Sequence, residues 1–186
     1  MTTQYRFRIN FLPPLSTRVT FGKVINLTHR GIRRMFPGFF SAFAHNHEIL
    51  APIQSGEVKE SGSPSVELHV DARKLRVLDP EPSDSTRAQI QETMLGTQVL
   101  DVGHFPEIRF QSTQLEPKGP DHWIVHGNLR LHDRDHQIAV EVTLKDERYR
   151  GSATLKQTDF GITPVTVAGG TVKVKNEVKV DSTLCS

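Results

Sequence analysis

Cysteine is almost absent from this chain: Cys185, beside the C-terminal residue, is the only one in 186 residues. A single cysteine excludes an intramolecular disulfide framework and any cysteine-rich zinc site. No apolar run approaches the roughly 18 residues that a membrane-spanning helix needs. There is no phosphate-binding loop, no dinucleotide-binding glycine pattern and no Gly-x-Ser-x-Gly nucleophile elbow. Cys185 is poorly placed for a nucleophile, so nothing in the sequence argues for an enzyme. Internal repeats and low-complexity tracts are also missing, and the length suits one domain with a real core. A hydrophobic content of 36% and a mean hydropathy of −0.39 fit a soluble globular protein.

Acidic residues are missing from the front of the chain. Residues 1–47 hold seven Arg or Lys and no Asp or Glu, a charge of +7 against −5 for the remainder. Such a segment suits contact with nucleic acid or an anionic membrane, or a targeting role; the plainest reading is a basic strand-and-loop segment. A secretory signal is not visible, because "INFLPPL" is short and broken by Pro13 and Pro14. As written, the chain is expected in the cytoplasm. Residues 1–35 are set apart as an atypical basic segment, and the folded domain is expected over 36–186.

What the sequence has in quantity is period-two alternation. Val66, Leu68 and Val70 alternate with Glu67, His69 and Asp71, and Ile108 and Phe110 with Glu107, Arg109 and Gln111. Trp123, Val125, Leu129 and Leu131 share one face, with His126, Asn128, Arg130 and His132 on the other and Ile124 as an exception. The pattern continues through Ile138, Val140, Val142 and Leu144, through Tyr149, Gly151, Ala153 and Leu155, and through Val172, Val174, Val178 and Val180. This is antiparallel sheet with one wet face. Short turn-rich joints such as "HDRDH" and "KDER" predict a meander closed into a sandwich or barrel. One stretch, "SDSTRAQIQETMLG", reads as a helix over about 84–95. Ser83, Asp84 or Ser85 would cap it, Ile90 and Met94 would form its apolar stripe, and Gly96 would end it.

Three features invite a chemical reading. In "HNHE", His45 and His47 would face one side of a strand and could share a metal, with Glu48 pointing away. The letters are no nuclease signature, since that name describes residues spread over a larger unit. "TDFGI" carries a kinase tripeptide without the rest of the kinase apparatus. Here Asp159 and Gly161 are expected to shape a bend, with Phe160 packed inside. His69, His126 and His132 occupy polar strand faces, where solvated histidines are the rule. The apolar face itself has two meanings that these patterns leave open: a packed sandwich core, or the lining of a barrel cavity for an elongated apolar ligand.

The order of "LDVGHFPEIRFQST", "VHGNLRLHDRDHQIAVEVTL", "YRGSATLKQTDFGI" and "GGTVKVKNEVKV", preceded by "FFSAFAHNHEI" and "SGEV", resembles the YceI-like family over about residues 38–182. The chain departs from the family's usual "LHG" at Asp133, and residues 1 to about 35 do not follow its pattern. The resemblance implies an all-β fold: an elongated, eight-stranded, antiparallel, lipocalin-like barrel with one short α-helix. It also implies a non-enzymatic carrier or store for an amphiphilic isoprenoid or other long-chain lipid, of quinone or polyprenyl phosphate type. Family members are mostly periplasmic or secreted.

Under that resemblance the channel is lined by Leu68, Val70, Ile108, Phe110, Trp123, Val125, Leu129, Leu131, Val140, Val142, Ala153, Leu155 and Phe160. Phe39, Phe40 and Phe43 are candidates for its wall or mouth. His45 and His47 are candidates for the polar head group. No cofactor is expected, a bound isoprenoid or quinone being ligand, and no nucleic acid is expected as a partner. Peripheral membrane contact stays open, as do monomer and homodimer. Two rivals stand beside this reading. One is a metal-dependent protein using His45 and His47. The other is an anionic-surface module acting through the basic N-terminus, with the barrel packed solid.

Overall fold

A computed structural model describes residues 16–23, 47–59, 63–78, 84–146, 148–167 and 172–185. In chain order the strands are β1 (Ser16–Lys23), β2 (His47–Lys59), β3 (Ser65–Asp71), the two-residue β4 (Arg76–Val77), β5 (Glu107–Gly119), β6 (His122–Leu131), β7 (Arg134–Lys145), β8 (Arg148–Lys156), the two-residue β9 (Thr166–Val167) and β10 (Val172–Cys185). The helix α1 (Asp84–Leu95) lies between β4 and β5. β10, β8, β7, β6, β5, β3 and β2 pair in that order, all antiparallel, and β1 pairs with both β10 and β2. Eight strands therefore close a barrel, and closure removes the exposed edges of an open sheet.

The closing strand corrects one expectation. Residues 1–35 were to stand apart from the barrel, yet Ser16–Lys23 is one of its staves. "STRVTFGK" is short and sits among residues of mixed pattern, so its period is hard to see. Its backbone register shows its place: Val19 pairs with both Val180 and Ile49, and Phe21 with Val178.

Elsewhere the alternation does what period two predicts. Ile138, Val140, Val142 and Leu144 are all less exposed than Ala139, Glu141, Thr143 and Lys145. Ile124, the exception, sits on the outer face with Glu116 and Glu141 as cross-strand neighbours. Gly127 faces inward beneath the Phe110 ring, and a Cβ there would lie 2.6 Å from that ring and from the Gln111 carbonyl oxygen. The β6–β7 turn uses His132 and Asp133 with φ of 52° and 55°. Asp133 thus adopts the left-handed backbone usual for glycine, which Asp tolerates. His132, expected on a strand face, sits in this turn instead.

Helix α1 buries Ile90 and Met94, the expected stripe, and its end is marked by the Gly96 N–H donating to the Glu92 carbonyl at 2.9 Å. Gln91 ties it to the barrel. The Val77 N–H donates to its Oε1 at 2.7 Å, and its Nε2 donates to the Leu75 carbonyl at 2.6 Å. One side chain thereby satisfies a backbone donor and a backbone acceptor at a strand that is only two residues long. The chain after α1 folds back to bury Val99 and Leu100. With Ile49, Ala72, Leu75 and Val77 these form a dry core that caps one end of the barrel.

Two ladders stop short. β3 and β5 pair only from Glu67–Gln111 to Asp71–Glu107, and beyond that the Val66 N–H donates to the Ser112 Oγ at 2.8 Å. β7 and β8 pair only from Lys145–Arg148 to Glu141–Ser152. Past that point they diverge, although β7 stays paired to β6 and β8 to β10. A 3-10 turn, Gln157–Phe160, sits at the capped end of the divergence and carries Phe160 inward to 1% exposure. The turn ends on Gly161 at φ 72°, under the Arg134 guanidinium. The "DFG" letters thus form a structural bend, with Phe160 inside.

Candidate ligand cavity

The inward faces of the strands enclose a cavity of about 650 Å³. Leu75, Val99, Leu100, Phe160 and Ile162 form its floor at the capped end. At the other end Val58, Pro64, Pro117, Leu144 and Leu184 lie around a mouth where the Trp123 and Tyr149 rings stand 6.2 Å apart. The fold explains this layout. Period-two strands point half of their side chains inward, and an eight-stranded interior is either filled by side chains or left with room for one small ligand; here the medium-sized lining leaves room. Small inward residues widen it further: Gly151 and Ala153 lie on β8, and Ala51 on β2.

Every described residue proposed for the channel wall lines this cavity: Leu68, Val70, Ile108, Phe110, Trp123, Val125, Leu129, Leu131, Val140, Val142, Ala153, Leu155 and Phe160. Phe39, Phe40, Phe43 and His45 fall outside the described residues. His47 is not at the mouth. It is 9% exposed at the capped end of β2, opposite Phe21 of β1, one inward position before Ile49, and it does not line the cavity. The letters of a strand do not say which of its ends is closed; pairing with β4 and packing by α1 decide that.

Several lining residues escape the period-two pattern. Leu75, Val99, Leu100 and Ile162 come from loops, where apolar residues carry no period. Ala51, Ile53 and Val58 come from β2, whose alternation is broken by a bulge between Ile53 and Ser55. Gln157 is a buried polar residue, 5% exposed, on the cavity wall. Its Nε2 donates to the Lys175 carbonyl at 2.6 Å, so at least this donor is satisfied.

Most of the charged pairs lie on the outer face. Glu67 lies 3.0 Å from His69 and 2.5 Å from Arg109, and these hydrogen bonds, His69 first, hold its carboxyl below the ordinary range. Glu116 is lowered in the same way by Lys118 and then His126. Arg130 pairs with Asp133 and Asp135, and its pKa is raised, chiefly by the Asp133 hydrogen bond. His104, His122 and His136 each approach one carboxylate, on Asp101, Glu141 and Asp159 respectively. Among the described residues no three His, Cys, Asp or Glu side chains gather as a metal site would require. No described helix is long and apolar enough to cross a membrane. The chemistry available inside is dryness and shape, with few polar groups.

Comparison with known proteins agrees with this geometry. A family model described as the YceI-like domain matches residues 13–184. No protein with a curated description matches the chain. Among solved structures, BcnA of Burkholderia cenocepacia superposes with a TM-score of 0.64 at 16% identity, covering 92% of this chain and 96% of its own. A YceI protein of Campylobacter jejuni gives a TM-score of 0.52 at 9% identity, covering 72% of this chain and 81% of its own. At such identities the structural likeness speaks for the fold.

Proposed function

Because the chain belongs to the YceI-like family and its barrel encloses an apolar cavity, we propose that it is a non-enzymatic carrier or store for an amphiphilic long-chain lipid, of the isoprenoid, quinone or polyprenyl phosphate kind. The observation that carries this reading is the cavity itself, walled by apolar strand faces and floored by Phe160. Each methylene moved from water into such a space contributes about 0.8 kcal/mol. The gross gain for a long chain is large enough to exceed the roughly 4–15 kcal/mol cost of association.

Volume sets a length. At about 30 Å³ per methylene-sized group, the cavity takes roughly 20 chain carbons, or about four isoprene units. Longer tails would extend beyond it. The test is a displacement titration with straight-chain alcohols of increasing length against a fluorescent apolar probe. Affinity should rise about fourfold per methylene and level off near 20 carbons. Affinity independent of length would reject the carrier reading in favour of a packed barrel.

A further inference from the structure

Resting on the carrier reading, we infer a second opening: the slot between diverging β7 and β8 is where the polar end of the ligand leaves the cavity, and Lys156 selects an anionic head group there. The register is the first observation. After Glu141–Ser152 no pair joins the two strands, so Ala153–Lys156 have no β7 partner. The second is Lys156 itself. Ala153 and Leu155 point inward, which puts Lys156 on the outer face, and it is exposed; yet it lines the cavity. The cavity wall beside Lys156 has no β7 residue paired to it. That wall is open beside β7, because on its other side Lys156 stays in register with Glu177.

The charges favour an anion. No ion pair joins Lys156 to a described residue, Glu177 included. At the slot's capped end, the Arg134 guanidinium lies over Gly161, and His136 faces Asp159 at 3.5 Å. The mouth is different. Its lining cation, Lys59, lies 3.4 Å from Glu57, and the acid Asp121 also lines it. A carboxylate or phosphate therefore meets an unpaired ammonium at the slot and a compensated one at the mouth. The chain of such a ligand would lie along Val140, Ala153 and Leu155, with its tail toward the mouth.

Palmitate and hexadecanol separate the terms, since they share a chain within the cavity's capacity and differ in the head. Both should bind the wild-type protein. Lys156→Glu should weaken palmitate by about tenfold at low salt, the scale of reversing one exposed charge. It should leave hexadecanol within about twofold, and the palmitate loss should shrink at high salt. Lys59→Glu should change neither by more than about twofold. Loss of palmitate in Lys59→Glu but not in Lys156→Glu would put the head at the mouth and overturn the slot while leaving the carrier reading intact. Equal loss of both probes in Lys156→Glu would also overturn it. Failure of both probes to bind the wild type would instead reject the carrier reading, and the slot assignment with it.

Discussion

Ala153→Trp separates a cavity from a packed core. Ala153 faces inward from the middle of β8, lines the cavity and is only half-buried. An indole in place of its methyl takes roughly 150 Å³, about five methylene volumes at ~30 Å³ each. The cavity of about 650 Å³ would fall to a capacity of about 17 chain carbons. A 20-carbon alcohol would then lose about 2.5–3 kcal/mol, roughly a hundredfold, while a 14-carbon alcohol would bind almost as before. Stability should change by less than about 1 kcal/mol, because the ring enters free space; the same insertion into a filled core would cost about 1–3 kcal/mol or more. Probe displacement with the two alcohols and urea unfolding of wild type and variant supply the numbers. A strongly destabilised variant, or one that binds the 20-carbon alcohol like the wild type, would refute the reasoning.

Two further substitutions test the barrel's frame. Gly127→Val should destabilise by about 1–3 kcal/mol in urea melts, because its Cβ would lie 2.6 Å from both the Phe110 ring and a backbone oxygen. Asp71 accepts from the Arg73 N–H, Nε and Nη2 at 3.1, 2.8 and 3.0 Å, and the Arg73 side chain in the first place holds its carboxyl below the ordinary range. A depressed carboxyl contributes stability that is full above its unfolded value, about pH 4, and is lost as pH falls through the folded value. Asp71→Asn should therefore cost stability at pH 7 and lessen the loss between about pH 4 and pH 2, as followed by melts across that range. An unchanged acid limb would mean that the Arg73 pairing carries no stability.

The sequence made the barrel wall legible because a half-buried strand must alternate. Leu68, Phe110, Val125 and Val142 could be placed inward from period two alone, and α1 could be placed from its cap and its Ile90–Met94 stripe. The floor was not legible. Leu75, Val99, Leu100 and Ile162 come from loops, whose apolar residues have no period, and Gln91 works through two hydrogen bonds that only the packed helix creates. The direction of the barrel was equally hidden: nothing in the letters around His47, a head-group candidate, shows that it lies at the capped end. The slot is further still from any pattern. It appears only because the β7–β8 ladder stops at Ser152, a property of pairing and not of composition. Lys156 continues the outer face of its strand and looks like any solvated lysine until its neighbour strand departs.

The central claim is that a long-chain amphiphile occupies this cavity. Native mass spectrometry of the purified full-length protein, followed by organic extraction of whatever it carries, tests that claim most directly. The account predicts a bound mass, released into solvent, with a chain long enough to fill the cavity. A protein that shows only its own mass, and still does so after incubation with polyprenyl phosphates, quinones and fatty acids, would contradict it.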